Sequence, residues 1–565
     1  MQRFLLICLI CCLSNTSFAQ QHTDRYWVYF TDKQFNTFSK QSPEQFLSKA
    51  SLNRREKQHI PISESDLPVS EYYIQSLENI GVQVYVRSKW LNAVSVIMSD
   101  DQMLHVSELP FVNKISRVGR YQILNEQGTP LNDQTFYRKA DNTEITGGLG
   151  AASNQIEQIN LDTLFDIGLS GDSMVIAVLD AGFFGVDTAT LFQSFWDKDQ
   201  ILGYHNFPDN NDQVFNIYSG YHGSWVMSVI AGEVTDLFSG SAPNADLYLY
   251  RTEIADSEYV VEEDHWLAAA ERADSVGADI INSSLGYTVF DDPTQNHTYE
   301  DLDGNTTVVT MAADMAASKG ILVCNSAGNE GAGAWHYVSM PSDGDSVLSV
   351  GGVDTSGIHV GFSGYGPTFD GRLKPNVVAL ALGSAVLDPN GYINYLSGTS
   401  FSSPLLAGAC ATLWQAYPEA TNMQILHAVE QSAHLYDTPN DSMGYGIPNF
   451  GKAYALLDSL FPEIDTTVVD TTVDTTIDTT LSSIAIIPLL DGDIFTVILQ
   501  SLTNREATFA VYNLQGALMH QENVYLNAEM PTTVEMGNKH LYASGIYFLT
   551  VRSGRYKQSV KVFIE

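Results

Sequence analysis

Basic residues are scarce in this 565-residue chain: 28 Lys and Arg stand against 66 Asp and Glu, a formal net charge of -38. No continuous cationic surface for a nucleic-acid backbone can be built from that balance, and an anionic membrane surface repels it. Cysteine is scarce as well. Of five, Cys8, Cys11 and Cys12 fall in the first dozen residues, and only Cys324 and Cys410 lie beyond them. Two cysteines make no disulfide framework; both sit in apolar sequence and read as small buried hydrophobes. Beyond the first 13 residues no stretch approaches 18 uninterrupted apolar residues, so no stable membrane insertion is expected of the mature chain. His and Cys spacing offers no zinc site. Apolar residues are plentiful, at 44% with 11% aromatic. That supplies a sizeable core and excludes a wholly disordered chain, and the length suits three or four domains.

The chain divides by pattern. Residues 1–19 have Arg3, an apolar run over 4–13 and small residues ending at Ala19, the make-up of a cleavable signal peptide. Export to the cell surface or the medium follows. Residues 20–150 are read as one unit with a cuttable tail. Strand patterns at 25–30, 81–86, 93–98 and 112–115 alternate with helix patterns at 46–57, 70–80 and 101–108, and a Gly-, Asn- and Thr-rich stretch follows over 125–153. From 151 to 461, short fully apolar runs such as Val175-Ile176-Ala177-Val178-Leu179 and Ile321-Leu322-Val323-Cys324 are separated by helical stretches. Strands apolar on both faces and alternating with helices predict an α/β domain with a mostly parallel sheet. Residues 462–481 repeat Asp-Thr-Thr and read as an extended linker. Residues 482–565 return to apolar–polar alternation with Gly turns, the pattern of a small antiparallel β-sandwich.

Three segments of the α/β region carry chemistry. Asp180 ends a buried strand and is followed by Ala181-Gly182; ligand sites in open α/β sheets gather at such strand ends. His222 opens a predicted helix in Tyr221-His222-Gly223-Ser224-Trp225 and can take and return a proton near neutral pH. Ser400, in Leu396-Ser397-Gly398-Thr399-Ser400-Phe401-Ser402-Ser403-Pro404, stands at or near the start of an apolar helix read over 405–417, where unpaired N–H groups favour negative charge. A serine hydroxyl is a poor nucleophile until a base takes its proton, and the base needs an anion to fix its tautomer.

The chain order Asp, His, Ser and the segments around Asp180, His222 and Ser400 resemble the subtilisin-like serine proteases. The resemblance implies a subtilisin-like fold and a secreted serine endopeptidase acting on protein or peptide substrates. Asp180, His222 and Ser400 would form its triad. Ser326-Ala327-Gly328-Asn329 resembles the oxyanion segment, which makes Asn329 an amide donor. Ser284, Leu285 and Gly286, with Ala327 and Gly328, would form the walls of the first specificity pocket. Two departures stand out: Ala181 replaces the Thr or Ser usual after the Asp, which predicts one hydrogen bond fewer on Asp180, and Trp225 replaces a second histidine.

The N-terminal unit resembles the family's inhibitory propeptide, removed by self-cleavage between about 121 and 156, so the chain's own propeptide is an expected partner. Val511-Tyr512-Asn513-Leu514-Gln515-Gly516, Gly545-Ile546-Tyr547-Phe548 and Lys561-Val562 resemble the sorting domain read by type IX secretion machinery. The resemblance implies that no cofactor is required for the chemistry. Structural calcium is common in the family, and the oxygen-rich loops 209–212 and 301–305 suit a hard cation. A non-catalytic surface binding protein on a protease scaffold is the alternative reading.

Overall fold

A computed structural model of the chain describes residues 23–121, 149–254, 257–461 and most of 485–564. The predicted signal peptide, the stretch 122–148 and the Asp-Thr-Thr linker lie outside the described residues. The chain separates into two compact units, 1–461 and 462–565.

The first unit opens with a four-stranded antiparallel sheet. Its strands are β1 (Thr23–Phe30), β2 (Gln83–Ser88), β3 (Ala93–Ile97) and β4 (Val112–Tyr121), in the order β2-β3-β1-β4. Helices α1 (Lys49–Lys57), α2 (Glu71–Glu78) and α3 (Asp100–Ser107) join them. β4 runs six residues beyond the predicted 112–115 because its second half pairs with the start of β1, Ser116 opposite Trp27 and Tyr121 opposite Thr23. Val28, Val94 and Val96 of this sheet pack on Ile74 and Leu77 of α2 in one small core.

Two short helices, α4 (Ser153–Gln158) and α5 (Asp162–Phe165), lead into the α/β part. The chain then runs β5 (Val175–Asp180), α6 (Gln193–Asp197), β6 (Ile201–Asn206), α7 (Tyr221–Ala231), a small ribbon of β7 (Glu233–Val234) and β8 (Phe238–Ser239), and β9 (Asp246–Arg251). It continues through α8 (Val261–Val276), β10 (Ile280–Ser283), α9 (Val308–Ser318), β11 (Leu322–Ser326), β12 (Val347–Val353) and β13 (Val377–Leu380). A hairpin of β14 (Leu382–Asp388) and β15 (Tyr392–Ser397) precedes α10 (Thr399–Gln415), α11 (Asn422–Ser432) and α12 (Phe450–Leu460).

Seven strands form one parallel sheet in the order β13-β12-β11-β10-β5-β9-β6. The first strand in the chain, β5, is central. The chain builds outward from it to β9 and β6 on one side and to β10 on the other. The crevice at the carboxyl ends of β5 and β10 is therefore a topological switch point, where ligands bind in open α/β sheets. α10 runs through the middle of the larger core, and residues 399–414 are all buried. Cys324 and Cys410 are buried free thiols within it, as expected of small hydrophobes.

The second unit has two antiparallel sheets. β16 (Ala485–Asp491), β17 (Ile494–Gln500) and β20 (Thr532–Asn538) form one; β18 (Arg505–Asn513), β19 (Leu518–Leu526), β21 (Gly545–Ser553) and β22 (Tyr556–Ile564) form the other. Val497, Leu499 and Val534 of the first meet Phe509, Val511, Leu549 and Val551 of the second, the packing of a small sandwich.

Candidate active site

Asp180 is the last residue of β5 and fully buried. His222 is the second residue of α7 and half-buried. The helix reaches the strand end because Gly223 has no side chain: a Cβ there would stand 2.2 Å from Gly182 O and 3.0 Å from Asp180 Cβ. His222 Nδ1 donates to Asp180 Oδ1 at 2.8 Å, and Ala181 N–H donates to the same oxygen at 2.7 Å. With its Nδ1 turned to the carboxylate, the ring presents Nε2 on its other side. Asp180 Oδ2 is buried and receives no hydrogen bond among the described residues, the deficit expected from Ala181. Trp225 points into the core, and its Nε1 donates to Asp388 Oδ2 at 3.0 Å.

Ser400 is the second residue of α10, which begins at Thr399, six residues before the expected 405. Pro404 therefore lies inside the helix rather than at its start, and it removes the N–H that would bond the Ser400 carbonyl four residues back. Ser284 Oγ supplies the missing donor and reaches Ser400 O at 2.9 Å. Ser400 Oγ stands 3.5 Å from Ser284 O. The next residue, Phe401, lies beside the His222 ring, 6.2 Å between ring centroids. Helix-start N–H groups lack intrahelical acceptors, so the Ser400 N–H joins an electropositive end.

Asn329 is turned by the residue before the serine: its Oδ1 accepts from Thr399 N–H at 2.9 Å and from Thr399 Oγ1 at 3.1 Å. That fixes which end of the amide is which, and Nδ2 faces away from Thr399. Gly398 makes the approach possible, with φ at 154°, a backbone region that side chains avoid. Thr399 escaped the sequence reading because a hydroxyl beside a serine carries no signal until the partner amide is in place.

Ser284, Leu285 and Gly286 continue the end of β10, and Ala327 and Gly328 continue β11. Asn325 Nδ2 donates to Leu285 O at 3.1 Å and ties the two segments together. The structure thus gathers all nine residues singled out in the sequence around the ends of β5, β10 and β11.

The proposed cation loops are otherwise engaged. Asp209 Oδ2 accepts from Arg251 Nη1 and Asn206 Nδ2, and Asp212 pairs with His205. Asp301 accepts from Thr298 N–H, and Asp303 from Asn305 and Thr306 N–H. A different acidic group was not foreseen: Glu253, Glu258 and Glu262 place one oxygen each within 4.8 Å of one another. Burial first, and the charge of Asp180 among its neighbours, push the Glu253 carboxyl up to about 7; burial, with Glu253, Asp291 and Glu330 nearby, pushes Glu258 to about 8.

Residues 171–446 match the subtilase family, peptidase S8. The thermostable alkaline protease of Halalkalibacterium halodurans is 30% identical over 299 residues, covering 53% of this chain and 72% of that protein. The chain belongs to the subtilase family. Residues 25–133 of this subtilase match the peptidase S8 propeptide domain of Bacteroidota, and residues 492–565 match the secretion system C-terminal sorting domain, which directs export to the cell surface or beyond. Subtilisin NAT of Bacillus subtilis subsp. natto is 29% identical over 280 residues, 49% of this subtilase, which spans 65% of that relative's length. Among solved structures, the epidermin leader peptide processing serine protease of Staphylococcus aureus superposes with a TM-score of 0.50 at 15% identity, covering 77% of this chain and 99% of that one, a likeness of fold.

Proposed function

We propose that this subtilase is an exported serine endopeptidase made as a self-processing zymogen. Ser400 Oγ attacks the scissile carbonyl and forms the acyl–oxygen bond while its proton passes to His222 Nε2. The C–N bond then breaks, and the amine leaves with that proton. Water, deprotonated by the same imidazole, releases the acyl group as a carboxylic acid and restores the serine. Asp180 holds the tautomer and offsets the imidazolium charge. Asn329 Nδ2 and the Ser400 N–H take the oxyanion. The segments 284–286 and 327–328 hold an extended substrate by main-chain pairing.

The observation that carries this reading is the 2.8 Å His222–Asp180 pair beside the start of the helix that holds Ser400. We assign 1–19 to the signal peptide, 20–150 to the propeptide with its cleavable tail, 151–461 to the catalytic domain, 462–481 to the linker and 482–565 to the sorting sandwich. The test is Ser400→Ala. It should abolish hydrolysis of an unfolded protein substrate and leave the propeptide attached. Substantial activity, or normal propeptide release at low protein concentration, would refute the assignment.

A further inference from the structure

The β14–β15 hairpin leads straight into the nucleophile and also grips the helix of the base. β15 ends at Ser397, α10 begins at Thr399, and the Gly398 N–H between them donates to Ala381 O at 2.8 Å. At its far end Asp388 closes the hairpin opposite Tyr392 and is 2% exposed. Its two oxygens have different tasks. Oδ1 accepts from the N–H and the Nδ2 of Asn390, at 2.9 and 2.8 Å, and shapes the turn. Oδ2 accepts from Trp225 Nε1 at 3.0 Å.

Trp225 is buried and lies just under one helical turn after His222 on α7. A second tie stands beside the first: Leu387 N–H donates to Ser228 Oγ at 3.0 Å, and that hydroxyl donates to Trp225 O at 2.7 Å. The loop after Asp180 holds the same part of α7 through Ser224, whose Oγ donates to Phe184 O at 2.9 Å. An indole needs no anion in order to pack. A carboxylate facing its N–H makes a strong, directional bond instead, one that fixes the helix along its axis and in rotation.

We propose that Asp388 is a positioning residue for hydrolysis: through Trp225 it seats α7 on the hairpin that delivers Ser400, and so sets the gap across which the serine proton reaches His222. This rests on the endopeptidase reading above. Proton transfer needs the two heavy atoms within about 2.6–3.2 Å, and a displacement of about 1 Å can cost about 10²-fold in rate.

The test uses the matured full-length protein and one peptide made as an anilide and as a nitrophenyl ester. Both need His222 to take the Ser400 proton. Only the anilide needs that proton returned, because nitrophenolate leaves as an anion and an amine does not. Asp388→Asn keeps the size of the side chain and sets an amide N–H₂ against the indole N–H; Trp225→Phe removes the indole donor. Each should lower kcat for the anilide by about tenfold with KM little changed, and lower the ester rate less, so that the anilide/ester ratio falls. The double variant should fall no further than either single one, since the same bond is lost in all three. A ratio taken within one preparation is independent of the fraction folded. Should neither variant mature, Ser228→Ala, which removes the acceptor of Leu387 N–H, should lower the same ratio by a smaller factor. An unmoved ratio, or losses that multiply in the double variant, overturns the positioning role alone, provided a fluorophosphonate labels the parent protein. A parent that neither hydrolyses the peptides nor takes the label overturns the endopeptidase reading and the positioning role with it.

Discussion

At Asp180 one carboxylate oxygen carries two hydrogen bonds and the other carries none among the described residues. The aspartate's hold on His222 therefore goes through a single oxygen. Asn329 shows the opposite economy, since two donors from Thr399 fix a single amide. Asn329→Leu keeps the size and removes the Nδ2 donor. Loss of such a donor in subtilisin costs about 10²–10³ in rate, and the same range is expected here in kcat with KM little changed, read from steady-state kinetics. Thr399→Val removes one of the two bonds that orient the amide and should cost less, about tenfold in kcat. The candidate residues Asp180, His222, Ser400 and Asn329 were legible because each lies within a contiguous motif. Thr399 was not, because it acts through Asn329, 70 residues away in the sequence.

Between elements, the best-defined contact is that of α8 with the N-terminal sheet. Asp264 accepts from Trp27 Nε1 and Ser95 Oγ, at 2.8 and 2.6 Å. Glu271 accepts from Ser88 Oγ and from the N–H groups of Lys89 and Trp90. Asp274 is met by Arg54, Arg55 and Lys89, all buried. Despite burial, those cations hold the Asp274 carboxyl down at about 2. Removing one member of such a buried network leaves the others uncompensated and costs about 3–5 kcal/mol. Asp274→Ala in the Ser400→Ala zymogen should lower the denaturation midpoint accordingly.

Asp264 behaves differently: burial first, with Glu263 adding to it, raises its carboxyl to about 7 against the opposing pull of Arg25, Ser95 and Trp27. Its folded value lies above its unfolded one. The folded zymogen therefore holds more protons than the unfolded chain between about pH 4 and 7, and its stability falls as pH rises through that window. Glu253 and Glu258 act in the same direction; Asp274 acts oppositely between about pH 2 and 4, and His265, held down at about 3 by burial, acts oppositely between about pH 3 and 6.5. Unfolding of the Ser400→Ala zymogen should be harder at pH 5 than at pH 8, and Asp264→Asn should flatten that slope. None of these pairings could be read beforehand, because partners some two hundred residues apart leave no local pattern. The parallel strands could be read, since fully apolar runs of five residues have few other uses. The start of α10 was misplaced because Ser-Phe-Ser-Ser-Pro has loop propensity. Burial overrides it: Ser403 Oγ donates to Asn282 and Ser402 Oγ to Thr399 O, and Ser284 serves the carbonyl that Pro404 leaves bare.

Across the whole molecule, the two compact units divide the work, with the parallel sheet and its crevice in 1–461 and the sorting sandwich in 462–565. Truncation after Phe461 should leave peptide hydrolysis within about twofold of the full chain and abolish export by a host that uses this sorting signal, as measured by the enzyme found in medium and cell fractions. Acidification should reduce hydrolysis as the imidazole base becomes charged; a flat profile from pH 4 to 8 would argue for a different base.

The central claim, that one serine hydroxyl among many is activated by His222, is tested most directly by reacting the matured protein with a fluorophosphonate and locating the adduct by peptide mass spectrometry. The account predicts stoichiometric modification of Ser400, lost in His222→Ala. An unmodified protein, or an adduct on another residue, would contradict it.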